Sequence, residues 1–328
     1  MEFTEKQKGR KHMAAKSLSP AGTRKKGVGA MLKRDFMKYK GIYALAVPVL
    51  AYFIIFKYIP MYGITIAFKN YVPTKGIFGS DWVGFEHFMR FFKSVYFKRT
   101  VLNTLIISVY DVIFGFPAPI IFALLLNEVK NNIFKRTIQT ITYLPHFIST
   151  VVIAGMIIDF TSQNGLINNI IALFGGERTD MLMRPEMFRG IYIISGIWQG
   201  VGWGSIIYLS ALSSIDQEQY EAAYIDGANR WQQAINVTLP GIMPTITILF
   251  ILKIGGLMSV GSEKILLLYS PVTYETADII STFIYRKGLL DMDYSFSTAV
   301  GLFNSIINII LLSTANALSR KVNETSLW

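Results

Sequence analysis

A chain of 328 residues that is 52% hydrophobic and only 16% charged is too apolar for a typical soluble protein of its length, and its apolar residues come in long uninterrupted blocks. The net charge of +11 does not point to nucleic acid, because residues 1–40 hold twelve Lys and Arg against three acids and so carry +9 of it, leaving a nearly neutral body. The lack of cysteine excludes disulfides, thiolate metal sites and cysteine nucleophiles; His12, His87 and His146 have no metal-ligand spacing; and no GxxxxGK[ST] segment is present to cradle phosphates, so a P-loop ATPase is excluded.

Along the chain, residues 1–40 lack apolar periodicity and read as a disordered basic tail near anionic lipid. Six apolar blocks follow, near 41–66, 101–126, 138–160, 189–212, 240–262 and 296–318, each long enough for the ~20 residues that a ~30 Å hydrocarbon core requires. The first is too long, and too far from the start, for an ordinary cleaved signal peptide. The expected fold is therefore an all-α membrane protein with six transmembrane helices over 41–318 and a short tail at 319–328. Its place is a cell membrane, crossed several times.

Charge sets the orientation. The basic tail, Lys130, Lys135 and Arg136 in the second connector, and Arg320 and Lys321 after the last block put both termini on the cytoplasmic side, and the connector 213–239 with them. Residues 69–100 carry Lys69, Lys75, Arg90, Lys93, Lys98 and Arg99 and argue mildly the other way, but an N-terminal tail usually dominates. That segment is also rich in aromatics, from Tyr71, Phe78 and Trp82 to Phe97, some of which are expected at the membrane interface. Pro117 and Pro119 are expected to kink the second span.

The connector 213–240 is polar and structured. Asp216 or Ser214 can cap a helix of good formers, Gln217 to Ala223, that runs to about Gly227. Ala223 and Gly227 lie four apart on one face, where another backbone can come close, and Gly227 tolerates the dihedrals of a turn. A second segment ends at Pro240. Glu221, at the helix centre, is placed for a charge-assisted hydrogen bond to a basic group on a partner.

The spelling EAAYIDGANRWQQAINVTLPGIMP resembles the EAA loop of permease subunits of bacterial ABC-type importers, matched at Glu221, Ala222, Ala223, Asp226, Gly227, Ala228, Leu239, Pro240 and Pro244. YIPMYG and AFKNYVPTKGIFGSDWVGFEHFMRFF further resemble the LplB-like branch of carbohydrate importer permeases, from about residue 33 to the end. The resemblance implies that the connector docks an ABC ATPase dimer as a coupling helix between spans four and five. It also implies a second, homologous permease chain in a heterodimer, an extracytoplasmic solute-binding protein, and a carbohydrate cargo, an oligosaccharide foremost and a peptide in second place. ATP and Mg would sit on the ATPase, with no cofactor or metal on this chain. ATP-driven closure would draw the two docking helices together and rock the spans between inward- and outward-facing states.

A sugar path needs aromatic faces and amide or hydroxyl groups. Trp198, Gln199, Trp203, Ser205 and Tyr208 in the fourth span supply both, among four glycines that let helices approach or unwind, although Trp near a helix end is often an interfacial anchor. Asn304 and Asn308 lie four apart in the last span and either line the path or bridge helices. Asp111 and Lys253 fall within apolar blocks, near mid-membrane by the rise per residue, and either pair or flank the path. A stand-alone carrier or channel would favour internal repeats and ionisable relays, and a membrane enzyme would need a metal or nucleophile constellation; neither pattern is evident.

Overall fold

The structure, a computed structural model, describes residues 36–323 and 326–327; most of the basic tail expected over 1–40 lies outside them. Among the described residues five helices are long and apolar enough to cross a membrane: Lys40–Phe68, Val95–Glu128, Thr150–Leu173, Arg230–Gly255 and Tyr294–Lys321. The fourth expected block is a 29-residue helix, Pro185–Ser213, as long as the others but diluted by its Trp198-Gln199-Gly200 and Trp203-Gly204-Ser205 stretches.

In chain order, α1 (Lys40–Phe53) continues through a π-turn and a 3-10 turn to Phe68. Lys69–Asn70 (β1) and Asp81–Trp82 (β2) form a small antiparallel pair, the one departure from an all-helical chain among the described residues. Then come α2 (Glu86–Lys93), α3 (Val95–Tyr110), α4 (Pro117–Glu128), α5 (Asn132–Tyr143), α6 (Thr150–Thr161), α7 (Leu166–Leu173) and α8 (Pro185–Ser213). The connector holds α9 (Gln217–Ile225) and α10 (Arg230–Gln233), and a π-turn leads into α11 (Leu239–Gly255). Beyond it lie α12 (Ser262–Leu268), α13 (Tyr274–Ala277), α14 (Ile280–Tyr285) and α15 (Tyr294–Asn323).

The chain separates into two compact units, Met1–Tyr62 and Gly63–Trp328. In the second, α8 packs on α4, α5 and α11, and α11 packs on α15. Phe91, Met258, Phe283, Phe296 and Val300 form one buried cluster, and Ile107, Ile153, Phe188, Ile265 and Ile279 another. Lipid tails are as apolar as these side chains, so within the spans close packing and interhelical hydrogen bonds carry the association.

Two local results differ from the sequence reading. The third block, expected over 138–160, is not one helix: α5 ends in a 3-10 turn at Leu144–Phe147, and α6 restarts at Thr150, its first turn capped by the Ser149 hydroxyl, which accepts from Val152 N at 3.4 Å. Pro145 has no N–H to continue the ladder. The apolar candidate span is Thr150–Leu173, while α5 is amphipathic. In the second span the irregularity precedes Pro117: a π-turn covers Asp111–Gly115, with Phe116 N donating to Asp111 O at 2.8 Å, and Pro117 opens α4.

The aromatics of 69–100 divide between two roles. Phe88 and Phe91 are buried, and Phe91 lies edge-on to Phe97 at 5.1 Å, whereas Phe78, Trp82, Phe85, Phe92 and Tyr96 are exposed. Only the second group is available to an interface.

Candidate docking connector and transport path

The connector is built by capping. Asp216 accepts from Glu218 N at 3.0 Å and starts α9; Ser214 spends its hydroxyl on Ala211 O instead. At the other end Gly227 adopts φ +80°, Gly227 N donates to Tyr224 O at 3.0 Å and Ala228 N to Ala223 O at 2.9 Å. That pair of bonds is a Schellman close, which requires a left-handed residue at the Gly227 position. Nothing lies within 4 Å of where a Gly227 Cβ would stand, so within this chain the residue serves the turn and not the expected close approach.

Asn229 then opens α10 with a reciprocal cap: its side chain accepts from Gln232 N at 3.0 Å, while Asn229 N donates to the Gln232 side chain at 2.8 Å. Tyr220 and Thr238 hydroxyls meet at 3.0 Å, tying α9 to the segment before Leu239. Arg230 pairs with Glu128 at the end of α4 at 2.7 Å; both are exposed, so this pair is worth at most about 1 kcal/mol. The connector is thus held at a defined angle to the helices it joins.

Its outer surface is unusual for a polar loop. Tyr224 (76%), Ile225 (83%) and Trp231 (80%) are all exposed. Glu221, also exposed, lines a groove of about 440 Å³ with Gln217, Tyr220, Tyr224, Ile225 and Gln233. Large apolar side chains around one acid suit a partner surface that offers a pocket and a basic group. Ala222 and Asp226 lie on the exposed side, Ala223, Ala228 and Leu239 are half-buried, and Pro240 is exposed.

The polar residues of α8 part company. Trp198 and Trp203 are each nearly half exposed and Gln199 is half-buried; the Trp203 indole lies flat on the His146 ring at 4.5 Å with the planes 4° apart. Ser205 and Tyr208 face the other way. Ser205 is fully buried and returns its hydroxyl to Gly202 O at 2.6 Å, and Tyr208 packs with Ile120, Leu212 and Ile242. These two belong to the buried face that runs through Gly202. Asn308 ties α15 to the turn after α11: its side chain accepts from Met258 N at 2.9 Å and donates to Ser259 Oγ at 2.8 Å. Asn304, half-buried, has an Oδ1 with no partner among the described residues.

Asp111 and Lys253 form an ion pair. The pair lines a cavity of about 310 Å³ with Ser108, Tyr192, Gly256, Ser259, Gly261 and neighbouring apolar residues. Close by, Lys264 on α12 is only 8% exposed, with Nζ 3.4 Å from Tyr192 O and 5.2 Å from the Tyr192 ring centre. Burial pushes its ammonium down to about 8, and the Asp111 carboxylate acts in the opposite sense.

Sequence reasoning missed a charged hub at the end of α8 far from the connector. Asp278, wholly buried, accepts from Arg99 at 2.8 Å, Arg286 at 2.7 Å and Thr282 at 2.8 Å. Asn103 donates to Asp278 O at 3.1 Å and accepts from Arg189 at 2.8 Å. These bonds fasten residues 274–286 to α3 and α8. A burial signal was present in sequence, since Asp278 sits before the apolar run Ile279-Ile280, but its partners are too distant in sequence to form a motif.

Residues 115–324, from the turn before α4 to the last helix, match the model of a family described as the binding-protein-dependent transport system inner membrane component. The chain belongs to this family. It is a multi-pass membrane permease subunit of an ABC importer, and the ATPase of such an importer is a separate chain. The permease is 44% identical over 313 residues to protein LplB of Bacillus subtilis (strain 168), covering 94% of this chain and 97% of the relative. It is 42% identical over 293 residues to the polygalacturonan/rhamnogalacturonan transport system permease protein YteP of the same organism, covering 89% and 91%. Among solved structures it matches a chain of a bacterial ABC transporter involved in import of the acidic polysaccharide alginate, with 44% identity and TM-score 0.83 over 89% of this permease and 99% of that chain. A chain of the bacterial alginate transporter in complex with an alginate pentasaccharide-bound periplasmic protein matches at 43% identity and TM-score 0.83, covering 90% and 99%.

Proposed function

We propose that this permease forms half of the translocation path of an ATP-driven importer for an oligosaccharide, in the cytoplasmic membrane, and that its α9–α10 connector is where the motor attaches. The observation that carries the cargo assignment is the match over nearly the whole chain to a transporter crystallised with an alginate pentasaccharide-bound periplasmic protein.

In this reading α8 is the fourth of six spans, both termini are cytoplasmic, and α9 lies on the cytoplasmic side between spans four and five. One ATPase of a dimer docks on Glu221, Ala222, Ala223, Asp226, Gly227 and Ala228, with Leu239 and Pro240 setting the exit into α11. ATP and Mg²⁺ are held by that ATPase. A second, homologous permease supplies the other half of the path, and an extracytoplasmic binding protein delivers the sugar. Trp198, Gln199, Trp203 and Asn304 are the residues best placed to meet it: two exposed indoles offer faces to the C–H side of sugar rings, and two amides offer bonds to hydroxyls. Membrane lipid covers the remaining apolar surface.

The capping bonds supply a mechanical link. ATP-driven approach of the two ATPases moves α9, and the Tyr220–Thr238 bond and the π-turn before Leu239 pass that displacement to α11. The spans then rock between inward- and outward-facing states.

The test is co-purification in mild detergent from native membranes, comparing the intact chain with Glu221→Lys. A second permease and an ATPase should accompany the intact chain, and the ATPase should be lost from the variant while the permease pair persists. A chain that purifies alone, or an ATPase retained equally by the variant, would overturn the docking assignment.

A further inference from the structure

Between α4 and α8 the chain crosses the membrane by a broken helix. Thr150–Leu173 is apolar enough to cross, but α6 stops at Thr161, where Asn168 of α7 donates to the Thr161 and Ser162 carbonyls at 3.2 and 2.7 Å across a turn. α6 alone is about 18 Å long, too short for a ~30 Å core, so α5 and α6 together make the crossing, with the break at 144–149 between them. The Thr142 carbonyl leaves no room for a Cβ on Gly202, and the His146 ring lies on Trp203, which puts the break beside that part of α8. Trp203 stands about 27 Å along α8 from Pro185 and about 15 Å from Ser213, at hydrocarbon depth.

Pro145 is buried at the break, but Leu144, His146, Phe147 and Ser149 are exposed, Phe147 by 70%. Exposed irregular backbone does not occur against lipid tails, where its polar groups would go unpaired; at that depth it lines a water-filled cavity or is covered by protein. The His146 ring nitrogens bond to no group among the described residues, and an unbonded imidazole is costly in hydrocarbon. Exposed, unpaired polar groups suit the water-filled alternative.

The ring geometry beside the break defines a platform. Phe147 stands perpendicular to both members of the stacked pair, at 84° to Trp203 and 85° to His146, and at nearly equal distances of 5.5 and 5.7 Å. It therefore walls the side of the stack and leaves the indole face opposite His146 open, in keeping with the 45% exposure of Trp203. Gln199 lies one turn before Trp203 on the same side of α8, with an amide to offer.

We propose that the open indole face is a stacking station for a pyranose ring in transit, that His146 and Phe147 are the positioning residues that hold the indole from behind and from the side, and that the α5–α6 break opens this station to water. The proposal rests on the carbohydrate-importer reading, in which α8 is the fourth span, and adds the third span to the path. The C–H face of a pyranose packs on an indole whatever charge the sugar carries, so the station grips the ring and makes no demand for an acid. An indole already held flat loses little freedom when a sugar lands on it, and that saving is what the two backing rings supply.

The experiment has two arms. The chain has no cysteine, so a single-cysteine variant reads water access directly. Phe147→Cys, in native membranes opened to both faces by freeze–thaw, is treated with a charged methanethiosulfonate, with Phe174→Cys in the exposed segment after α7 as the reference. Only a thiolate reacts, and hydrocarbon keeps a thiol protonated, so labelling of Phe147→Cys is expected only if the break is wet. No labelling while the reference reacts would place the break against lipid or against the partner permease and overturn the proposal.

The second arm is uptake of labelled neutral and uronate trisaccharides by intact cells of the source strain, normalised to membrane-inserted protein. His146→Ala should raise the half-saturating concentration about three- to tenfold, the scale of one lost aromatic pair, at an unchanged maximal rate. His146→Phe, which returns a flat ring, should recover most of the loss. Trp203→Ala with His146→Ala should be no worse than Trp203→Ala alone, because the imidazole acts through the indole. Wild-type half-saturation in His146→Ala, a loss that His146→Phe does not recover, or an additive double overturns the station and leaves the carbohydrate reading standing. A wild type that takes up no trisaccharide overturns the carbohydrate reading and the station with it, whatever the labelling shows.

Discussion

Lys253 on α11 donates to Asp111 at the foot of the π-turn after α3, an ion pair between residues 142 positions apart in sequence. Each charge alone within a span would be unfavourable, and together they fasten two helices. Asp111→Ala and Lys253→Ala should each lower the folded, membrane-inserted yield several-fold, and Asp111→Lys combined with Lys253→Asp should recover most of it. Yield after size-exclusion chromatography in detergent is the measurement. Equal losses without recovery in the swapped double would remove the pair as a structural tie.

Gly227 closes α9 in a left-handed conformation, so graded substitutions there test whether docking depends on that close. Gly227→Ala should cost about 1–2 kcal/mol of local stability. Gly227→Asn should cost less, because asparagine tolerates that conformation. Retention of the ATPase in pull-downs is expected in the order wild type, Asn, Ala, with Gly227→Pro lowest because it also deletes the bond from Gly227 N to Tyr224 O. An Ala variant that retains the ATPase as well as Asn would detach the cap from docking.

Apolar runs and caps, which are local, brought most of the helices and the first helix of the connector out of the sequence, but not the Asn229–Gln232 cap that opens α10. The break at 144–149 stayed hidden because an average over side chains is blind to the missing N–H of Pro145 and to the Ser149 cap. Composition alone drew Ser205 and Tyr208 into the candidate path, whereas the three- to four-residue spacing from Gly202 through Ser205 and Tyr208 to Leu212 marks one helix face, the one the fold buries. The Asp278 hub needed three-dimensional information, since Arg99 and Asp278 are 179 positions apart.

That hub carries an asymmetric stability prediction. Asp278 compensates Arg99 and Arg286 from a fully buried position, so Asp278→Asn keeps the shape and strands two cations; removal of one partner from such a network costs about 3–5 kcal/mol. The exposed i,i+4 pair Lys287–Asp291 is the control, where Lys287→Ala should cost no more than about 0.5 kcal/mol. Thermal unfolding in detergent should separate the two clearly. A similar midpoint for both variants would mean that the hub is solvated and does not anchor residues 274–286.

Gly202 and Gly200 stand two residues apart on α8 and should respond in opposite ways to the same added methyl. A Cβ on Gly202 would collide with the Thr142 carbonyl and come within 2.9 Å of Thr142 Cβ, whereas nothing lies within 4 Å of one on Gly200. Backbone cannot retreat as a flexible side chain can, so Gly202→Ala should force α5 and α8 apart at about 1–3 kcal/mol, disturbing the Trp203–His146 stack beside it. Gly200→Ala should fold as the wild type does. Because the stack lies within the proposed path, Gly202→Ala should also slow uptake more than its loss of folded protein explains, which uptake normalised to membrane-inserted protein would measure. Normalised uptake equal to wild type would confine the α5–α8 contact to folding and take Trp203 out of the path.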